Sequence, residues 1–126
     1  MIAESQVVVT KKEGVGYPSD APFHPSFAYP EYPWSYVSVS DNSVYESVRE
    51  ILYAMNLGSA AYGTKAWNPL GDFIRPGQTI LIKPNLVMDR HPRCENLFCL
   101  VTHGSVVRAI MDYVIIALQG KGRMVV

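Results

Sequence analysis

The chain has 126 residues, 48% hydrophobic and 17% charged, with eleven basic residues balanced by eleven acidic ones. About 100 to 150 residues is the usual size of one domain, so two complete domains are not expected, and the apolar content excludes a disordered chain. Balanced charge without a run of either sign also removes the electrostatic footprint of a general DNA or RNA binder. The longest apolar stretch, residues 106–118, is broken by Arg108 and Asp112, and it falls short of the roughly 20 residues that span a bilayer. Residues 1–10 lack the basic start and long apolar core of a signal peptide, which makes the cytoplasm the expected compartment. Cys94 and Cys99 are too few for a disulfide framework and are expected to be reduced there.

Residues 6–10 are short, β-branched and followed by Lys11-Lys12-Glu13-Gly14, which predicts a first strand with a charged exit. Residues 17–36 then hold five of the nine prolines and seven of the fourteen aromatic residues, interleaved. Proline at that density removes backbone donors and fixes φ, while the rings need apolar surface to cover them. The composition predicts a long loop over 17–40 packed onto the body, either shielding a core or acting as a lid or protein interface; shielding is the favoured reading. Asp41-Asn42-Ser43 opens a helix, with Ser43 and Glu46 at capping-box spacing. Val44, Val48, Ile51, Leu52 and Met55 form a stripe of helical period, Gly58 can end the helix in a left-handed conformation, and Glu46, Arg49 and Glu50 read as a solvated face.

Trp67 reads as a plug in a connector. Pro76-Gly77 suits a type II turn leading into a strand over 79–83, whose apolar run predicts burial on both faces and which Pro84 ends. After a connection over 85–101, a second helix starts at Thr102 or Gly104-Ser105. Its polar stripe is narrow (Ser105, Arg108, Asp112, Gln119), and Gly120 and Gly122 end it before a final strand at Arg123-Met124-Val125-Val126. Strand, helix, strand at this spacing predicts an α/β fold with a parallel βαβ-type sheet. A final strand without a closing element, together with a helix that is apolar around most of its circumference, leads us to expect the front part of one larger α/β domain.

In an open parallel sheet, ligands bind beyond the carboxyl ends of strands, where the following helices present their N-termini. Lys83 and Asn85 fall at such a strand end, and Thr102, His103 and Ser105 fall at the following helix start. The lysine charge, the helix dipole and free N–H groups would favour a phosphate or carboxylate; Asn85 would orient it, and His103 could serve as a general acid or base. In the alternative account, Thr102 only caps, Lys83 reaches solvent, Asn85 makes a turn and His103 bonds a backbone carbonyl. Among His91, Cys94, Cys99 and His103, no second close pair completes a zinc site, so no metal is expected. No nucleotide-binding or nucleophile-elbow fingerprint occurs, and no cofactor is indicated.

Ile80-Leu81-Ile82-Lys83-Pro84-Asn85-Leu86, followed by Thr102-His103-Gly104-Ser105-Val106-Val107-Arg108-Ala109, resembles the N-terminal signature of Domain of Unknown Function family 362. The resemblance covers roughly residues 71–126 and implies that Lys83, Asn85, Thr102 and His103 are the positions of interest. In that family the final strand normally runs on into an Ala-Asp or Gly-Asp turn and a longer domain. Some members also carry a cysteine-rich segment for iron–sulfur clusters, whose spacing does not occur here. The resulting expectation is an uncharacterised domain that binds an anionic metabolite and could belong to an enzyme. The alternative is a non-catalytic accessory or redox-associated module that acts through a protein partner on the 17–36 loop.

Overall fold

A computed structural model describes residues 5–93 and 95–126. Two helices, α1 (Ser43–Ala54) and α2 (Gly104–Leu118), pack on each other beside two short parallel strands, β1 (Thr79–Leu81) and β2 (Arg123–Val125), giving a mixed α/β arrangement. Short 3-10 turns at Ser59–Ala61 and Leu97–Cys99 complete the regular elements.

The start of α1 is fixed by Asn42 and not by a Ser43–Glu46 box. The Asn42 Oδ1 accepts from the Tyr45 N–H at 3.1 Å, while its Nδ2 donates to the Phe23 and His24 carbonyls at 3.1 and 2.9 Å. An amide side chain can accept the capping bond and still donate to two carbonyls, where a hydroxyl has a single proton to give, so Ser43 becomes the first helical residue. Glu46 is left to accept from Lys12. The buried side of α1 is also rotated from the predicted stripe. It runs through Tyr45, Arg49 and Leu52, at i, i+4 and i+7, whereas Val44, Val48 and Ile51 are half-buried and Met55 is exposed. Arg49, read from sequence as solvated, is among the buried residues. The helix ends at Ala54, and Asn56 rather than Gly58 takes the left-handed position that follows; Gly58, itself left-handed, opens the next turn.

Tyr45, Leu52, Trp67, Ala109 and Tyr113 form the core between the helices. Trp67 is the plug its size predicts, fully buried with its indole N–H donating to the Leu57 carbonyl at 3.0 Å. The 17–40 segment contains no helix or strand, as its prolines dictate, and it covers this core: Tyr29 and Tyr32 stand against Tyr45 at ring separations of 6.1 and 6.2 Å. Shielding therefore describes its packing.

The strands pair in register, Thr79 with Arg123 and Leu81 with Val125, and one further bond from Ile82 N–H to Val125 O extends the ladder. The Arg75–Gln78 turn closes at 3.2 Å with Gly77 at φ 95, the type II geometry read from Pro76-Gly77. Gly122, at φ 127, lets the two strands meet: a Cβ there would lie 2.5 Å from the Gln78 carbonyl oxygen. Two expectations fail here. The 79–83 strand is not buried on both faces, since Leu81 is 71% exposed and no described element lies over it. The predicted first strand, residues 6–10, joins no ladder. β-branched residues favour extended backbone but cannot supply a partner edge, and the segment is tied to α1 through Lys12 with Glu46 and Glu50 while Val7 and Val9 stay exposed.

Candidate functional site

The end of β1 and the start of α2 do meet. The Thr102 N–H donates to the Asn85 carbonyl at 2.8 Å, the Asn85 N–H donates to Thr102 Oγ1 at 3.1 Å, and the Asn85 amide reaches the Leu100 carbonyl at 3.0 Å. This clasp closes the 85–101 connection on itself. Asn85 spends its amide on that closure. Thr102 Oγ1 accepts from Asn85, which leaves its own O–H able to donate.

His103, not Thr102, is the N-cap of α2. Its backbone is extended and its Nδ1 accepts from the Ser105 N–H at 3.2 Å, with Ser105 Oγ 2.8 Å away. The imidazole stacks on Tyr17 at 4.4 Å and meets the rings of Phe98 and Phe23 at 4.4 and 5.2 Å. Burial among these rings holds its pKa below the ordinary imidazole value. Ser105 is fully buried, so its hydroxyl serves His103. Lys83 is exposed and follows Leu81 in the strand alternation, which places it on the open side of the sheet. Half-buried Pro84, one residue on, belongs to the α2 side.

Beyond the strand ends lies an open groove of about 540 Å³ whose apolar walls include Phe23, Leu86, Met111 and Val126, with Thr102 and Gly104 at the helix start. Lys83, Asn85, His103 and Ser105 do not line it. The Gly104 N–H, at the first position of α2, makes no hydrogen bond among the described residues. The structure thus brings Asn85, Thr102, His103 and Ser105 into one hydrogen-bonded neighbourhood but exposes only Thr102 and Gly104 to the groove.

Two buried polar clusters escaped the sequence reading. In the first, Glu31 from the long loop receives Arg49 Nε at 2.6 Å and Nη2 at 3.2 Å, together with the Tyr113 hydroxyl at 3.0 Å. The Arg49 guanidinium lies over the rings of Tyr29, Tyr62 and Trp67 at 4.4, 4.3 and 5.1 Å. Burial alone would lower its pKa, but the hydrogen bond and charge of Glu31 outweigh burial and raise it. In the second, Asp112 accepts from Arg108 Nε at 2.9 Å and from the Tyr45 hydroxyl at 3.1 Å, while Arg108 reaches the Pro22 carbonyl, His24 and Tyr32. The Arg108–Asp112 spacing of four was a legible signal. Nothing local marks the pairing of Glu31 with Arg49, apart from the place of Arg49 on the Tyr45–Leu52 face.

Among the described residues, no group of three His, Cys, Asp or Glu side chains could hold a metal. His91 Nδ1 instead accepts the Arg93 N–H at 3.1 Å, Cys99 is free and exposed, and Cys94 lies outside the described residues. No described helix is long and apolar enough to cross a membrane. In comparison with known proteins, no family model matches the chain, and no curated protein or solved structure is similar to it.

Proposed function

We propose that the chain is part of a βαβ-type α/β domain that binds a small anionic metabolite, a carboxylate or phosphate with an apolar body, in the groove beyond the carboxyl ends of β1 and β2. One observation carries this reading: the Asn85–Thr102 clasp sets two unspent donors, the Thr102 hydroxyl and the Gly104 N–H, on the rim of an apolar groove. An anion would accept from both at the positive end of the α2 dipole, and its body would rest on Phe23, Leu86 and Met111. Position at the strand ends and the resemblance of residues 80–86 and 102–109 to Domain of Unknown Function family 362 support the same place. His103 and Ser105 act in this reading by holding the helix start, and Lys83 is a flanking charge on the other face.

Calorimetric titration with a series of aliphatic and aromatic carboxylates and phosphates tests it. Leu86 is exposed, so Leu86→Glu should leave the fold intact while its carboxylate weakens binding at least tenfold. Thr102→Val should weaken it by a similar factor. Loss of binding in Lys83→Ala with no change in Leu86→Glu would move the site to the open sheet face and refute the groove.

A second reading, an accessory module that contacts a protein through the 17–36 loop, draws on Phe27 and Tyr36, each 62% exposed. Tyr32 is buried, so the contact would run through Phe27 and Tyr36. Loss of a complex in a Phe27→Ser, Tyr36→Ser double variant would favour it.

A further inference from the structure

We propose that His103 is an acid-sensitive latch: a proton gained at Nδ1 removes the cap of α2 and lets go of Tyr17, and with it the segment that walls the groove along α1. The argument starts from the lone pair. With Nδ1 accepting the Ser105 N–H at 3.2 Å, the ring proton sits on Nε2. Once protonated, Nδ1 becomes a donor and faces another donor. The Ser105 hydroxyl, 2.8 Å away, can rotate to accept; the backbone N–H cannot.

The charge also arrives in an unfavourable place. It sits at the positive end of a fifteen-residue helix, in a residue that is 9% exposed. The groups facing it are Tyr17 at the start of the long loop, Phe23 further along it, Phe98 from the Leu97–Cys99 turn, and Ser105 from α2 itself. Tyr17 is the one titratable group among them, and no carboxylate faces the ring among the described residues. Arg108, the first charged side chain of α2, is directed to Asp112, Pro22 and His24. The π face of Tyr17 favours a cation, but burial, the lost cap and the helix dipole oppose it together. Burial accordingly lowers the pKa.

Three rings converge on this one imidazole, so its displacement loosens all three. The consequence is clearest for Tyr17, which with Val15 and Asn96 lines an open groove of about 600 Å³ against Val44, Val48 and Val106. No backbone hydrogen bond of residues 5–17 holds that wall in place. Side chains hold it: Thr10 and Lys12 on α1, and Tyr17 on His103 and, edge-on, on Phe98. Acid would open it from the Tyr17 end.

The test is an NMR titration of the full chain from about pH 7.5 to about pH 5, across the free imidazole value of about 6.5. His103 is expected to titrate below that value, and the Tyr17 and Phe98 ring resonances should move toward unstacked positions with the same midpoint. His103→Asn, which caps without titrating, should hold both rings still over this range. Rings that stay put while His103 titrates, or that move equally in His103→Asn, would overturn the latch. Should that variant not fold, amide exchange at Ser105 in the unaltered chain decides. After correction for intrinsic rate, protection should fall by up to about tenfold per pH unit between the free imidazole value of about 6.5 and the His103 midpoint, as one-proton opening requires, and constant protection across that range would overturn it.

Discussion

Replacing Arg49 by methionine should be among the most damaging single changes to this protein. The Glu31 carboxylate is almost wholly enclosed, with 1% of its side chain exposed, and it receives two guanidinium bonds at 2.6 and 3.2 Å. Arg49→Met keeps much of the aliphatic volume but strands that carboxylate with the Tyr113 hydroxyl as its remaining partner. Leaving one member of a buried ion pair unpaired costs about 3–5 kcal/mol, and the loss of three ring contacts adds to it. Against a typical total stability of about 5–15 kcal/mol, that is a drop of about a fifth or more. Urea unfolding followed by tryptophan fluorescence measures it, with Trp67 in the affected core. A cycle of Arg49→Met, Glu31→Leu and the double variant isolates the coupling. Glu31→Leu should also be costly, because it leaves a buried cation, and the double variant should recover about 2 kcal/mol or more relative to the sum of the singles. If the two changes add to within about 0.5 kcal/mol, the pair is not coupled and the reasoning fails.

Asn42→Ala removes a cap and leaves the carbonyls of Phe23 and His24 without their donor, so it should cost about 2–4 kcal/mol in denaturant unfolding. Asn42→Asp keeps the capping oxygen but loses both donors, and it should recover less than half of that; full recovery would show that the loop bonds contribute nothing. Gly122→Ala drives a methyl to 2.5 Å from the Gln78 oxygen at φ 127, which predicts a loss on the order of 2–3 kcal/mol and faster exchange of the Arg123 amide than in the unaltered chain. Burial holds the Asp112 carboxyl above its usual pKa despite Arg108 and Tyr45. The folded chain therefore keeps a proton that the unfolded chain has released, and the Asp112 contribution to stability falls as pH rises from about 3.9 to that raised value. Asp112→Asn should flatten this part of the stability curve, and an unchanged slope would assign it elsewhere.

What could be read from the sequence follows the reach of each signal. Helical period, the Pro76-Gly77 turn and the proline density of 17–40 act over a few residues, and each appears in the fold. The rotated face of α1 was missed because hydrophobicity alone ranks Val44 and Val48 above Arg49. An arginine paired with Glu31 and covered by rings can occupy the inward position, and that pairing depends on a loop 18 residues earlier. Residues 6–10 show the converse error: strand propensity without an edge to pair with. At the site, strand-end topology predicts that Lys83 and Asn85 share a crevice with Thr102 and His103; Asn85 and Thr102 do bond to each other, whereas Lys83 and His103 do not line the groove. That topology could not show that His103 would turn inward to cap the helix, because the rings of Tyr17, Phe23 and Phe98 that hold it come from distant segments.

The Glu31–Arg49 contact also carries a consequence for divergence among sequences that share this architecture. The surrounding rings can exchange tyrosine, phenylalanine and tryptophan with modest loss, since each contributes area and a π face. The acid and the base cannot change independently, because any intermediate with one of them carries the stranded charge. Positions 31 and 49 should therefore vary together, switching as a unit to an apolar pair or not at all, and this joint inheritance would identify distant kin more reliably than similarity along the aromatic loop.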